Sequence, residues 1–102
     1  MSARSIARSA LLLAATASSA LGQRTGDPEA GARLVVTTCT QCHGAIDAPA
    51  GAPAFVTIAA MPSTTEDSLT VFLQTPHASM PDLVLSWADR RDLIAYILSL
   101  RP

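Results

Sequence analysis

The sequence predicts an all-α fold of three to four short helices, on three observations. Apolar residues recur at helical spacing, and no segment alternates with the period of two that marks a half-buried strand. Helix-start chemistry recurs along the chain, at Asp27-Pro28, Ser63-Thr64-Thr65-Glu66 and Ser86 with Asp89. The stretches between carry the breakers: Gly44 to Pro53 is rich in Ala, Gly and Pro, and residues 76–85 are bracketed by Pro76 and Pro81. At 102 residues the chain holds one small domain, with no internal repeat and no linker.

The first 22 residues stand apart from that domain. Arg4 and Arg8 form a positive start, Ala10 to Ala15 begins a short apolar run, and Ala20-Leu21-Gly22 offers the small residues a signal peptidase requires. The expectation is a signal peptide at 1–22, cleaved near Gly22, and a mature domain at 23–102. Ala15-Thr16-Ala17 is a second candidate bond. The run is too short and too rich in Ser, Thr and Ala for an anchor, since spanning takes about 20 apolar residues. No cysteine directly follows it and it holds no Arg-Arg pair, which argues against a lipoprotein anchor and a twin-arginine route. The expected location is periplasmic or otherwise exported, with no stable membrane insertion after cleavage.

The helices follow in order. Asp27 is an N-cap with Pro28 at the first helical position, and Ala30, Leu34 and Val35 share a face on the way to Cys39. Phe55, Ile58 and Ala59 predict a short helix that stops before Met61-Pro62. Ser63 to Glu66 has the form of a capping box, after which Leu69, Phe72 and Leu73 fall at helical spacing until Pro76. Ser86 and Asp89 start the last helix, in which Leu93, Tyr96, Ile97 and Leu100 lie at i, i+3, i+4 and i+7.

Composition excludes several function classes. The net charge is −1, so no basic footprint points to nucleic acid. All seven basic residues are arginines, and without Arg4 and Arg8 five arginines face eight acids, a net charge of −3. Two cysteines are too few for a disulfide-rich scaffold. A domain this small with so little cross-linking needs another source of stability, commonly a metal or cofactor.

The chemistry is concentrated in Cys39-Thr40-Gln41-Cys42-His43. Thiols at i and i+3, on neighbouring turns of one helix face, can add to the two vinyl groups on a porphyrin edge, and the histidine that follows supplies a ring nitrogen to the iron. This is the haem c attachment pattern, and it requires all three residues together. Other readings fit less well. A thioredoxin-like dithiol sits beside a βαβ pattern, and none is present. A zinc site using Cys39, Cys42, His43 and His77 would need the adjacent Cys42 and His43 on one tetrahedral ion, at a spacing that matches no common finger. A Cys39–Cys42 disulfide would close a very small loop and stabilise little.

With these residues in view, the chain resembles the class I (monohaem) cytochrome c family, of the small bacterial exported type. Gly26 to Gly31, followed by Cys39 to His43, is similar to the family's N-terminal helix and attachment site. Asp92 to Ile97 is similar to its C-terminal helix, Thr75 to Pro81 to its axial-methionine loop, and Ala52-Pro53-Ala54-Phe55 to the segment whose proline carbonyl receives the histidine's hydrogen bond. The resemblance implies helices wrapped around one covalent haem, with the terminal helices crossing. It implies His43 and Met80 as iron ligands, Pro53 orienting His43, and Phe55 among the haem contacts. Leu34, Val35, Phe72, Leu93 and Ile97 are further candidates for apolar walls. Val35 stands where the family usually has an aromatic, so the helix crossing is expected to be less filled.

His/Met ligation leaves no open iron position, so the implied role is single-electron transfer between redox protein partners and not an enzyme reaction. The alternative is a small cytochrome subunit of a larger periplasmic dehydrogenase or oxidase complex. A haem enzyme or gas sensor needs an open position, and a cytochrome c′-like bundle carries its motif near the C-terminus, not the N-terminus. Met61 and His77 are the other candidates for the sixth ligand. Met61 closes the apolar patch begun at Phe55, whereas Met80 sits in an irregular loop with little else to bury. Gly31 is expected where the terminal helices approach near Leu93 and Tyr96, with Tyr96 itself in the core. Trp87 is expected to pack, with contact to a haem propionate as the other reading, and His77 to be partly exposed. Glu66 and Asp67 read as helix-terminus charges.

Overall fold

Side-chain caps start three of the four helices in the computed structural model, which describes residues 25–102. The expected signal peptide lies outside the described residues. Helix α1 spans Pro28–Thr38, and the Asp27 carboxylate accepts from the Glu29 amide at 2.9 Å. Pro28 occupies the first turn, where a missing N–H costs nothing. Helix α2, Phe55–Ala60, has no side-chain cap. Its first two amides donate instead to loop carbonyls, Phe55 to Gly44 at 2.9 Å and Val56 to Ala45 at 3.0 Å. These bonds satisfy donors that a helix start otherwise leaves orphaned. They also pin the 44–53 loop against α2. Pro62 follows its C-cap, Met61.

Helix α3 spans Glu66–Phe72, and its cap corrects the sequence reading. The N-cap is Thr65, not Ser63, and the reciprocal partner is Ser68, not Glu66. The Ser68 amide donates to Thr65 Oγ1 at 3.0 Å, and the Thr65 amide donates to Ser68 Oγ at 2.8 Å. Thr64 is buried at 4 % exposure and its amide turns back to the Met61 carbonyl, so the chain is still rounding a corner at Ser63–Thr64. The helix also ends at Phe72, four residues before Pro76. Helix α4 spans Trp87–Ser99, with the Asp89 amide donating to Ser86 Oγ at 3.0 Å.

Helix α4 is the hub on which the other three pack. Its buried face carries Leu93, Ile94 and Ile97; Val35, Cys39, Phe55, Ala59 and Leu69 complete the core cluster. Ile94 was absent from the expected face. Val35 is buried to 3 % exposure, so its small side chain is still enclosed. The terminal helices do cross, at Gly31. A Cβ there would lie 2.0 Å from the Asp92 carbonyl oxygen and 2.8 Å from Tyr96 Cβ, so the near neighbours are Asp92 and Tyr96 and not Leu93. The Asp27 amide donates to Asp92 Oδ1 at 2.8 Å, tying the start of α1 to α4. At the far end, Arg101 donates from Nε to the Ala59 carbonyl at 3.3 Å and from its terminal nitrogen to the Thr64 carbonyl. The C-terminus is thereby tied across α2 and the α2–α3 corner.

Candidate haem-attachment site

The motif begins where α1 runs out. Cys39 is the helix C-cap, and the amides of Cys42 and His43 both return to its carbonyl, at 3.1 and 2.8 Å. This tight turn presents two free thiols, Cys39 buried and Cys42 exposed. Burial pushes the Cys39 thiol up from its ordinary value by desolvating the thiolate.

His43 comes next, and its ring is held on two sides. Nδ1 lies 2.7 Å from the Pro53 carbonyl oxygen. A carbonyl can only accept, so Nδ1 carries the hydrogen and donates it. In the neutral ring this leaves the Nε2 lone pair for a metal. Nε2 has no hydrogen-bond partner among the described residues. The Phe55 ring stacks on the imidazole, with centroids 5.1 Å apart and planes 30° apart. Phe55 in turn meets the edge of Tyr96 at 5.9 Å and 76°. Gly44 makes the turn after His43 tight enough to reach α2: a Cβ there would lie 1.8 Å from Asp47 Oδ1.

The structure thus gathers Cys39, Cys42, His43, Pro53 and Phe55 at one end of the α1–α4 crossing. Met80 stands on a separate loop, half-buried, in a turn whose ends, His77 and Met80, form an antiparallel bridge. It lines a hollow of about 450 Å³ with Phe72, Leu73, Leu83, Leu85 and Arg90. None of that hollow's walls comes from the His43 cluster. Met61 is exposed at the end of α2. His77 is engaged elsewhere: its ring stacks on Phe72 at 3.7 Å, and Nε2 lies 3.1 Å from the Phe72 carbonyl. Among the described residues no three His, Cys, Asp or Glu side chains converge as a metal cluster would require.

The donor set fits haem c. Two uncrosslinked thiols on one turn can form the thioethers, an oriented imidazole follows, and a methionine thioether is available on the loop between α3 and α4. Phe72 remains 43 % exposed and Val84 fully so, leaving apolar surface beside the Met80 loop for a flat apolar group to cover. Trp87 does not pack in the core. It is 55 % exposed, with the Arg91 guanidinium 4.8 Å from its ring centre. Sequence reasoning set Tyr96 aside as core. Its contact with Phe55 carried no local signal, because the two residues lie on different helices.

Comparison with known proteins agrees with this chemistry. A family model described as cytochrome C oxidase, cbb3-type, subunit III matches residues 26–97. Cytochrome c-552 of Bradyrhizobium diazoefficiens is 37 % identical over 99 residues, covering 93 % of this chain and 95 % of that protein. No solved structure gave a significant match.

Proposed function

The chain belongs to the c-type cytochrome family, a family of electron carriers with covalent haem c, and on that premise we propose an exported monohaem carrier ligated by His43 and Met80. The observation that carries this reading is the oriented imidazole directly after the thiol pair, with Nδ1 donating to the Pro53 carbonyl at 2.7 Å and Nε2 unbonded. Such a partner fixes the tautomer of a ligating histidine and raises its basicity. When bound, the haem supplies a one-electron Fe(III)/Fe(II) couple. Cys39 and Cys42 would hold it as thioethers, His43 and Met80 would ligate the iron, and the apolar side chains of the core would keep water away. Fixed ligands and dry walls change little between oxidation states, which favours fast transfer to a redox partner.

Met80 is preferred over the other two candidates on their surroundings. His77 is committed to Phe72, and Met61 caps a helix facing solvent. Residues 1–22 are the proposed export signal and 23–102 the carrier domain. No helix among the described residues is long and apolar enough to cross a membrane. The name of the matched family also keeps a subunit role in play. Stable co-purification with a larger oxidase or dehydrogenase would favour that role over a free shuttle.

Spectroscopy of the purified haem protein tests the ligand set. Met80→Ala is expected to abolish the methionine-to-ferric-iron charge-transfer band and lower the potential, while Met61→Leu and His77→Ala leave both nearly unchanged. Loss of the band in Met61→Leu would transfer the assignment to Met61. Haem that separates from the denatured chain, or two free thiols in the mature protein, would refute covalent attachment through Cys39 and Cys42.

A further inference from the structure

We infer that Phe55 and Tyr96 are positioning residues for the axial imidazole, with Phe55 setting the plane of the His43 ring and Tyr96 holding Phe55 in place. The inference rests on the reading of His43 as an iron ligand and adds to it two residues outside the thiol pair and the proposed iron ligands.

A single hydrogen bond does not fix a ring plane. The bond from Nδ1 to the Pro53 carbonyl restrains one atom and tolerates rocking about its own axis, because acceptance at a carbonyl is angularly broad. A second constraint must act on the face of the ring. Phe55 supplies it: its ring lies against the imidazole at 5.1 Å and 30°. Phe55 can do this because it is enclosed and its backbone is tied to the residue after His43. It is 4 % exposed, and its amide donates to the Gly44 carbonyl, one residue beyond His43. The bond and the stacked pair therefore close a short loop around the ligand.

Tyr96 supplies the remaining support. Its ring meets the Phe55 ring nearly at right angles, at 5.9 Å and 76°, the favoured edge-to-face arrangement. The Tyr96 hydroxyl makes no hydrogen bond among the described residues, so the ring and not the hydroxyl matters here. Tyr96 Cβ is also one of the atoms that closes over Gly31. The contact chain Gly31–Tyr96–Phe55–His43 thus joins the terminal-helix crossing to the ligand plane. This gives the crossing an electronic consequence, since the plane of an axial imidazole sets how unpaired spin is distributed over a ferric haem.

Proton NMR of the ferric haem protein reads that distribution as the spread of the haem methyl resonances. Phe55→Leu is expected to change the spread, and Tyr96→Leu to change it in the same direction by less. Tyr96→Phe is expected to keep the wild-type pattern, since it preserves the ring and removes only a hydroxyl that makes no hydrogen bond among the described residues. Asp27→Ala serves as the stability control: it removes the α1 cap far from His43 and is expected to lower the melting temperature with the spread unchanged. A wild-type spread in both leucine variants would overturn the inference. So would an Asp27→Ala change as large as that of Phe55→Leu, because the spread would then report general loosening. Failure of the underlying reading is distinct: His43→Ala would leave the low-spin ferric spectrum intact.

Discussion

Replacing Gly31 by alanine sets two effects of opposite sign against each other. On helix propensity alone, Gly→Ala in a helix interior stabilises by about 1 kcal/mol. The crossing opposes it. The new Cβ would lie 2.0 Å from the Asp92 carbonyl oxygen and 2.6 Å from its carbon. Non-bonded carbon needs about 3.5 Å, so α1 and α4 must part locally by about 1.5 Å. Both sides of the contact are helix backbone, which cannot rotate away as a side chain would. Overpacking costs about 1–3 kcal/mol, and a rigid contact belongs at the upper end. The net loss is therefore about 2 kcal/mol. For a domain of this size each kcal/mol moves the melting temperature by about 4–8 °C, so the expected fall is about 8–16 °C. Thermal melts of the wild-type and Gly31→Ala haem proteins, followed by far-UV circular dichroism, measure it. An unchanged or raised melting temperature would show that propensity wins and that the helix crossing has room for a methyl group.

Arg101→Ala should remove the tie to the Ala59 and Thr64 carbonyls and cost about 1 kcal/mol, measured by denaturant unfolding. Arg101→Lys should not restore it, because one ammonium cannot reproduce a guanidinium fork. The haem-free Cys39→Ala/Cys42→Ala chain should be largely unfolded by circular dichroism, since among the described residues Phe55 is the one buried aromatic in a small core otherwise made of aliphatic side chains and Cys39; a cooperative helical apo-protein would contradict this. Electron-transfer rates with redox partners should vary only modestly with ionic strength, because the chain has no lysine and a small net charge. A steep fall with added salt would refute that for any partner that is not strongly basic.

Local chemistry explains what could be read from the chain and where the reading slipped. The starts of α1 and α4 were legible because Asp27 and Ser86 act on amides two or three residues away. The start of α3 was misread because two overlapping patterns compete there. Ser63-x-x-Glu66 and Thr65-x-x-Ser68 both have capping form, and the burial of Thr64 decides between them. Helix α2 had no cap to read, since its first amides bond to carbonyls of Gly44 and Ala45, residues beyond a loop. Among the site residues, Cys39, Cys42 and His43 announced themselves because haem attachment uses one turn of chain. Pro53 entered through resemblance, and its 2.7 Å bond to His43 spans ten residues.

The sequence by itself determined the helical class, the order of the elements and the attachment chemistry, because each depends on groups within one or two turns of one another. Only the tertiary structure decided how closely α1 and α4 approach, which ring faces His43, and where His77 spends its hydrogen bond. Those outcomes join residues far apart in the chain. Asp27 meets Asp92, Gly31 meets Asp92 and Tyr96, and Phe55 meets His43 and Tyr96. A glycine in a helix reads as a weakness until the opposing backbone is in place. A tyrosine at a core spacing reads as filler until its edge is seen against the ring that faces the ligand. Such contacts arise from excluded volume and ring geometry across the whole fold, and no local pattern encodes them.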